Sequence, residues 1–260
     1  MRIFYLLSVL ATVHVYGSFS TWAKPWTKSF LEVRVDGFLE RTSVNGRKSS
    51  NEHNKNKNIG TLMASGAPLP NWEISALLSA ADARSRKIGA RIEHQILSDL
   101  KISPIALTTF LEAFDTTRSR ASEPAFFEMA KRGGEIGIGL GRHLGIAPLS
   151  YTQLFGYVTA GIGSSWARWT KAEVGFSHMH AKKHGIRLSY QYTRPHSSKS
   201  GSFRGFGSQK ADIQSFTAGY TYITSGGFQW KLSYIYRRFQ KGVARSSQTA
   251  QLGISLPIAL

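Results

Sequence analysis

The feature that most constrains this chain is a two-residue hydropathy period that recurs along most of its length. In 184–193, Ile186, Leu188, Tyr190 and Tyr192 alternate with Gly185, Arg187, Ser189, Gln191 and Thr193. Side chains of a strand point alternately to opposite faces, so this segment has one apolar and one polar face. The same alternation sets Leu31, Val33, Val35 and Leu39 against Glu32, Arg34, Asp36 and Glu40. It sets Ile136, Ile138 and Leu140 against Glu135, Gly137, Gly139 and Gly141, and Trp230, Leu232, Tyr234 and Tyr236 against Lys231, Ser233 and Arg237. Each segment is about ten residues or slightly longer, the length at which a tilted strand crosses a bilayer. Such a face packs on a soluble core or meets lipid around a polar interior.

The N-terminus points to export. Met1 and Arg2 precede the apolar run Ile3–Tyr16, and the small residues Gly17, Ser18 and Ser20 follow. This pattern is that of a secretory signal peptide over 1–20. The segment 21–28 is then a short periplasmic lead and 29–260 the folded unit. No cysteine is present, so no disulfide, lipoprotein anchor or thiolate metal site is available. Beyond the N-terminal run, no stretch approaches the ~18 consecutive apolar residues of a membrane-spanning helix. A chain that enters a membrane without such helices does so as a closed barrel.

The alternation predicts strands near 29–41, 58–66, 71–82, 87–97, 104–115, 132–144, 150–163, 168–178, 184–193, 211–223, 227–239 and 247–259. The second rests on little more than Ile59, Leu62 and Met63, but it gives an even strand count and sorts the connections. Short turns then alternate along the chain with mostly longer loops at 42–57, 116–131, 194–210 and 240–246, as periplasmic turns and extracellular loops do. The expected fold is all-β: a closed antiparallel transmembrane β-barrel of about 12 strands. The last segment, Gln251-Leu-Gly-Ile-Ser-Leu-Pro-Ile258, resembles the C-terminal signal of bacterial outer-membrane β-barrels, with Ile258 in the place of the aromatic residue. That resemblance implies an outer-membrane location, insertion by the barrel assembly machinery, and contact with outer-membrane lipid and lipopolysaccharide. The competing fold is a secreted soluble β-sandwich or barrel, which accounts for the alternation alone. Aromatic residues near strand ends (Trp166 and Trp169, Tyr190 and Tyr192, Tyr220 and Tyr222, Tyr236 and Phe239) suit interfacial girdles.

The net charge of +18 suggests a polyanionic partner, but the export signal argues against nucleic acid. The polar faces carry eight carboxylates: Glu32, Asp36, Glu40, Glu73, Glu93, Glu112, Glu135 and Glu173. They also carry six bases: Arg34, Arg91, Lys171, Arg187, Lys231 and Arg237. On a lipid face each base would cost about 2–4 kcal/mol near the midplane, so these groups are expected to line the lumen in pairs. Of these, Glu32, Arg34, Asp36, Arg91, Glu93, Glu112, Glu135, Lys171, Glu173, Arg187, Lys231 and Arg237 are the candidate lumen-lining residues. The excess of positive charge falls in the connections. Arg47, Lys48, Lys55, Lys199, Arg204, Lys210, Lys241 and Arg245 are the candidate contacts for a surface polyanion.

Other motifs lead away from catalysis and cofactors. Val174-Gly-Phe-Ser-His-Met-His180 is similar to the active-site motif of an outer-membrane phospholipase family at Gly175, Phe176 and His178. It departs at His180, where that family has its nucleophilic serine, and a histidine cannot replace serine in the same acyl transfer. His178, His180 and His184 lie beside Lys182 and Lys183 with no carboxylate near, which disfavours a metal site. Gly137, Gly139 and Gly141 form Gly-x-Gly-x-Gly inside a strand, so they make room or bend the strand rather than cradle a nucleotide. His143 is expected to be a hydrogen-bonding group of the lumen. No catalytic residue, cofactor or metal is expected. The leading functional expectation is a passive porin-like channel for small polar solutes through a narrow lumen of mixed charge. The alternatives are a non-channel surface or adhesion barrel that binds polyanions through basic loops, and an outer-membrane lipid hydrolase.

Overall fold

The computed structural model describes residues 32–46, 55–82, 85–99, 104–117, 130, 132–144, 150–197, 212–240 and 244–258. The signal segment 1–20 and the lead 21–28 lie outside the described residues. Twelve strands follow in chain order: β1 (Val33–Gly46), β2 (Lys55–Gly66), β3 (Trp72–Asp82), β4 (Ser85–Leu97), β5 (Ala106–Thr117) and β6 (Arg132–Leu144), then β7 (Tyr151–Gly163), β8 (Arg168–His180), β9 (His184–Ser197), β10 (Ile213–Ile223), β11 (Gln229–Phe239) and β12 (Ala244–Ile258). Each pairs antiparallel with its chain neighbours, and β1 pairs with β12 to close the barrel. The closing register runs from Val33 opposite Ile258 to Gly46 opposite Ala244. Both ends of the barrel sequence therefore lie at one rim.

The segment 58–66 is a strand, as the loop sorting required, and it extends back to Lys55. Every other expected strand is present. Boundaries differ mainly at the rim away from the termini, where β1, β2, β9 and β12 run three or more residues beyond or before the expected limits. Segments such as Thr42–Gly46 and Ala244–Ser247 are polar and small, so they carry no alternation while still completing the ladder.

Turns at the terminal rim are compact. Asn71, Ala181 and Lys182 adopt left-handed backbone with φ of 66°, 52° and 55°, and Lys183 N–H donates to the His180 carbonyl at 3.1 Å. Gly227 takes φ 83° in the β10–β11 turn, a conformation that costs glycine little.

The two faces divide sharply. Outward positions are apolar and exposed around the barrel: Leu39, Leu62, Leu78, Ile88, Leu111, Ile136, Val158, Val174, Ile186, Leu232 and Leu252 among them. A continuous apolar band of this kind on a closed sheet is what hydrocarbon covers, and a soluble barrel would leave it in water. Inward positions are buried and largely polar. No helix of the described residues is long and apolar enough to cross a membrane.

Candidate lumen

The interior is organised by one repeated arrangement. A phenylalanine on one strand covers a glycine directly opposite it on the next, and a cation stands over the ring. Phe110 on β5 covers Gly137 on β6, and the Arg91 guanidinium of β4 lies 3.8 Å from the ring centroid. Phe155 on β7 covers Gly175 on β8, with Arg187 of β9 at 4.3 Å. Phe38 on β1 covers Gly253 on β12, with the Lys231 ammonium of β11 at 5.7 Å. Phe114 on β5 covers Gly133 on β6, with Lys87 of β4 at 5.5 Å. A side chain at any of these glycines would meet the ring, so glycine leaves room for the ring against the wall. The ring's negative face then partly offsets the cost of holding a cation inside the barrel.

Carboxylates complete the arrangement. Arg91 Nη2 donates to Glu93 Oε2 at 2.8 Å, Arg187 Nη2 to Glu173 Oε1 at 3.3 Å, and Lys231 Nζ to Asp36 Oδ1 at 2.7 Å. Arg34 Nε pairs with Glu32 at 2.6 Å, and Lys171 Nζ donates to Glu135. Trp169 follows the ring-on-glycine rule over Gly161 and donates from Nε1 to Glu135 at 2.7 Å. Tyr157 donates to Glu173 at 2.5 Å. Glu112 sits directly between Arg91 and Glu135 in the cross-strand register. Where β1 and β12 close the barrel, Gln251 donates to Glu40 at 3.0 Å, and Arg237 of β11 donates to Thr249 at 3.0 Å.

At the terminal rim, His143 links two elements. Its Nδ1 lies 3.0 Å from Asp99 Oδ2, its Nε2 is 2.7 Å from Gln153 Nε2, and Gln153 Oε1 accepts from Ser177 at 2.9 Å. One tautomer satisfies all three: Nδ1–H donates to Asp99 and Nε2 accepts from the amide.

Every residue expected to face the lumen points inward: Glu32, Arg34, Asp36, Arg91, Glu93, Glu112, Glu135, Lys171, Glu173, Arg187, Lys231 and Arg237. Glu40 and Glu73 join them. Lys87 is a seventh interior base that the sequence reading omitted. It lies on the same parity as Arg91 and Glu93, so the alternation itself was the signal. The inward aromatic residues were also hidden. Trp169 and Phe239, expected at an interfacial girdle, are instead buried inside at 1% and 3% exposure, because strand parity overrides their position near a strand end. Two of the residues expected in connecting loops lie on strands. Lys55 opens β2 and Arg245 lies in β12, because the ladders extend further than the hydropathy pattern. Arg47, Lys48, Lys199, Arg204, Lys210 and Lys241 lie outside the described residues.

The histidine-rich stretch faces outward at the terminal rim. His178 Nδ1 is 2.9 Å from Thr152 Oγ1 and His180 Nδ1 is 3.3 Å from Ser150 Oγ. No group of three or more metal-ligating side chains occurs among the described residues.

Polar atoms that lack a protein partner are spread through the interior. Thr108, Thr159 and Thr221 hydroxyls, Ser247 and Ser255 hydroxyls, Gln191 Nε2 and Gln229 Oε1 are buried with none. Left unpaired in a dry interior, each would cost roughly 1–3 kcal/mol.

No family model matches the sequence, and comparison with curated proteins finds no match. Solved structures do match. An outer-membrane channel from Pseudomonas putida F1 is similar over 94% of this chain and 100% of its own, with TM-score 0.60 and 9% identity. The NanC porin is similar over 86% of this chain and 100% of its own, with TM-score 0.57 and 9% identity. The KdgM porin gives TM-score 0.51 at 7% identity, over 86% of this chain and 99% of its own. The chain therefore has the fold of the bacterial outer-membrane β-barrels.

Proposed function

We propose that the chain is a passive outer-membrane channel for small polar solutes, exported, cleaved of its leader and inserted by the barrel assembly machinery of a Gram-negative-type bacterium. The observation that carries this reading is the polar interior: hydroxyl and amide groups without protein partners line a barrel whose outer wall is apolar. The similar solved structures titled as a channel and porins support it. The lumen is of mixed charge. Among the described residues acids and bases both point inward in similar numbers, so charge selection is weak despite the basic composition of the whole chain. The ring-backed cations hold fixed positions along the wall and offer donors to a passing polar solute without moving.

The test is conductance of the refolded mature chain in planar bilayers, with heat-modifiable gel mobility as the folding control. Discrete steps with K⁺ and Cl⁻ permeabilities within about threefold of each other are expected, and Lys231→Gln with Lys87→Gln should shift the ratio toward cations. A heat-modifiable species that passes no current overturns the channel.

A further inference from the structure

The interior is not uniform around its circumference. In the closed strand order β10 faces β4, β11 faces β5 and β12 faces β6 across the lumen. The inward side chains of β4–β6 include Lys87, Arg91, Glu93, Glu112 and Glu135. On β9–β12 no described inward side chain is acidic, and β10 carries no inward charge: Ser215, Thr217, Gly219 and Thr221 follow one another on its inner face. Hydroxyls and amides continue across the ladders. Gln191 lies opposite Ser215, Ser189 opposite Thr217, and Ser233 opposite Gln251. The bases on this wall are already engaged: Arg187 donates to Glu173, Lys231 to Asp36 and Arg237 to Thr249. Charge thus gathers on one wall, and neutral hydrogen-bonding groups gather on the wall that faces it.

Spare hydrogen-bonding capacity lies on the neutral wall. Gln191 Nε2, Thr221 Oγ1, Gln229 Oε1, Ser247 Oγ and Ser255 Oγ are buried there without a protein partner. They comprise a donor, an acceptor and hydroxyls that act as both. Elsewhere, neutral side-chain atoms of this kind are dispersed, at Thr108, Tyr151 and Thr159. Inward side chains recur roughly every 6.8 Å along a strand and about every 4.8 Å between strands. A small ring bearing several hydroxyls bridges two such neighbours and meets donors with acceptors and acceptors with donors. A charged solute has no such match. It must part an existing ion pair or leave its charge against neutral groups, and an unmatched charge in a confined site is costly.

We propose that the β9–β12 wall is a binding track for small uncharged polyhydroxyl solutes, sugars or sugar alcohols, centred on Gln191, Thr217, Thr221 and Ser233. This deepens the channel reading and rests on it, because the lumen must admit the solute. The refolded mature chain in zwitterionic detergent is titrated with glucose, glucuronate and protonated glucosamine, which share one ring and differ in charge. Binding is followed by saturation-transfer NMR. Glucose should bind about tenfold more tightly than either charged analogue. The double variant Thr217→Val, Thr221→Val keeps the side-chain shapes and should bind glucose about tenfold more weakly, as expected for two lost hydrogen bonds. Heat-modifiable mobility reports whether that variant is folded, and the wild-type comparison of the three solutes decides even where it is not. Charged analogues that bind as tightly as glucose, a wild type that does not bind glucose, or wild-type affinity in the folded double variant overturns the track. Conductance separates the two readings. Discrete current steps without a preference for glucose keep the channel and overturn the track, whereas glucose binding without current overturns the channel and keeps the track as a binding site.

Discussion

Glu135 shows how single side chains hold the interior. It accepts from Trp169 at 2.7 Å and from Lys171, joining β6 to β8 across β7. Glu135→Ala removes the acceptor of both bonds in a buried site and should lower stability by about 2–4 kcal/mol. Glu135→Gln keeps an acceptor for the indole and should cost less. The checking measurement is the temperature at which the compact gel band converts to the unfolded one, and equal midpoints for the two variants would contradict this role. Glu173 has the same double duty toward Tyr157 and Arg187, so Tyr157→Phe should cost about 1 kcal/mol by the same readout.

At the scale of strands, the ring-on-glycine pairs make a direct contrast. A methyl group at Gly137 would run into Phe110 and at Gly161 into Trp169, whereas at Gly37 it would meet nothing within 4 Å. Gly137→Ala and Gly161→Ala should each destabilise the barrel by about 1–3 kcal/mol, and Gly37→Ala should be neutral. If all three unfold together, the glycines are not seats for the rings. The pairs also explain what the sequence made legible. Strands whose outward positions are largely apolar and whose inward ones are polar or charged, such as β4 and β9, stand out plainly. β2 does not, because its buried inward positions include Ile59 and Met63 while Gly60 and Ala64 face out. Charged lumen residues followed from parity. The aromatic residues beneath the charges did not, since an inward Phe breaks the polar-inside expectation and its glycine partner is remote in sequence, as with Phe38 and Gly253. Strand ends at the loop rim were missed because polar residues there pair in the ladder without any hydropathy contrast.

The whole molecule depends on one seam. β1 and β12 are joined along their full length, and Thr42 and Thr249 share a hydrogen bond at 2.9 Å across a sequence separation of 207 residues. A chain lacking 244–260 keeps eleven strands with two unpaired edges and should give no heat-modifiable species, rather than a smaller barrel. A compact band from that truncation would refute the dependence. The seam also sets a direction in time. Because β1 and its final neighbour lie at opposite ends of the barrel sequence, one edge of the sheet keeps its amides unmatched until the last strand pairs. Until then the edge is a template for any passing strand, including another copy of this chain. Joining the two ends is thus a quality gate: a product broken off early is left sticky and is readily recognised as unfinished.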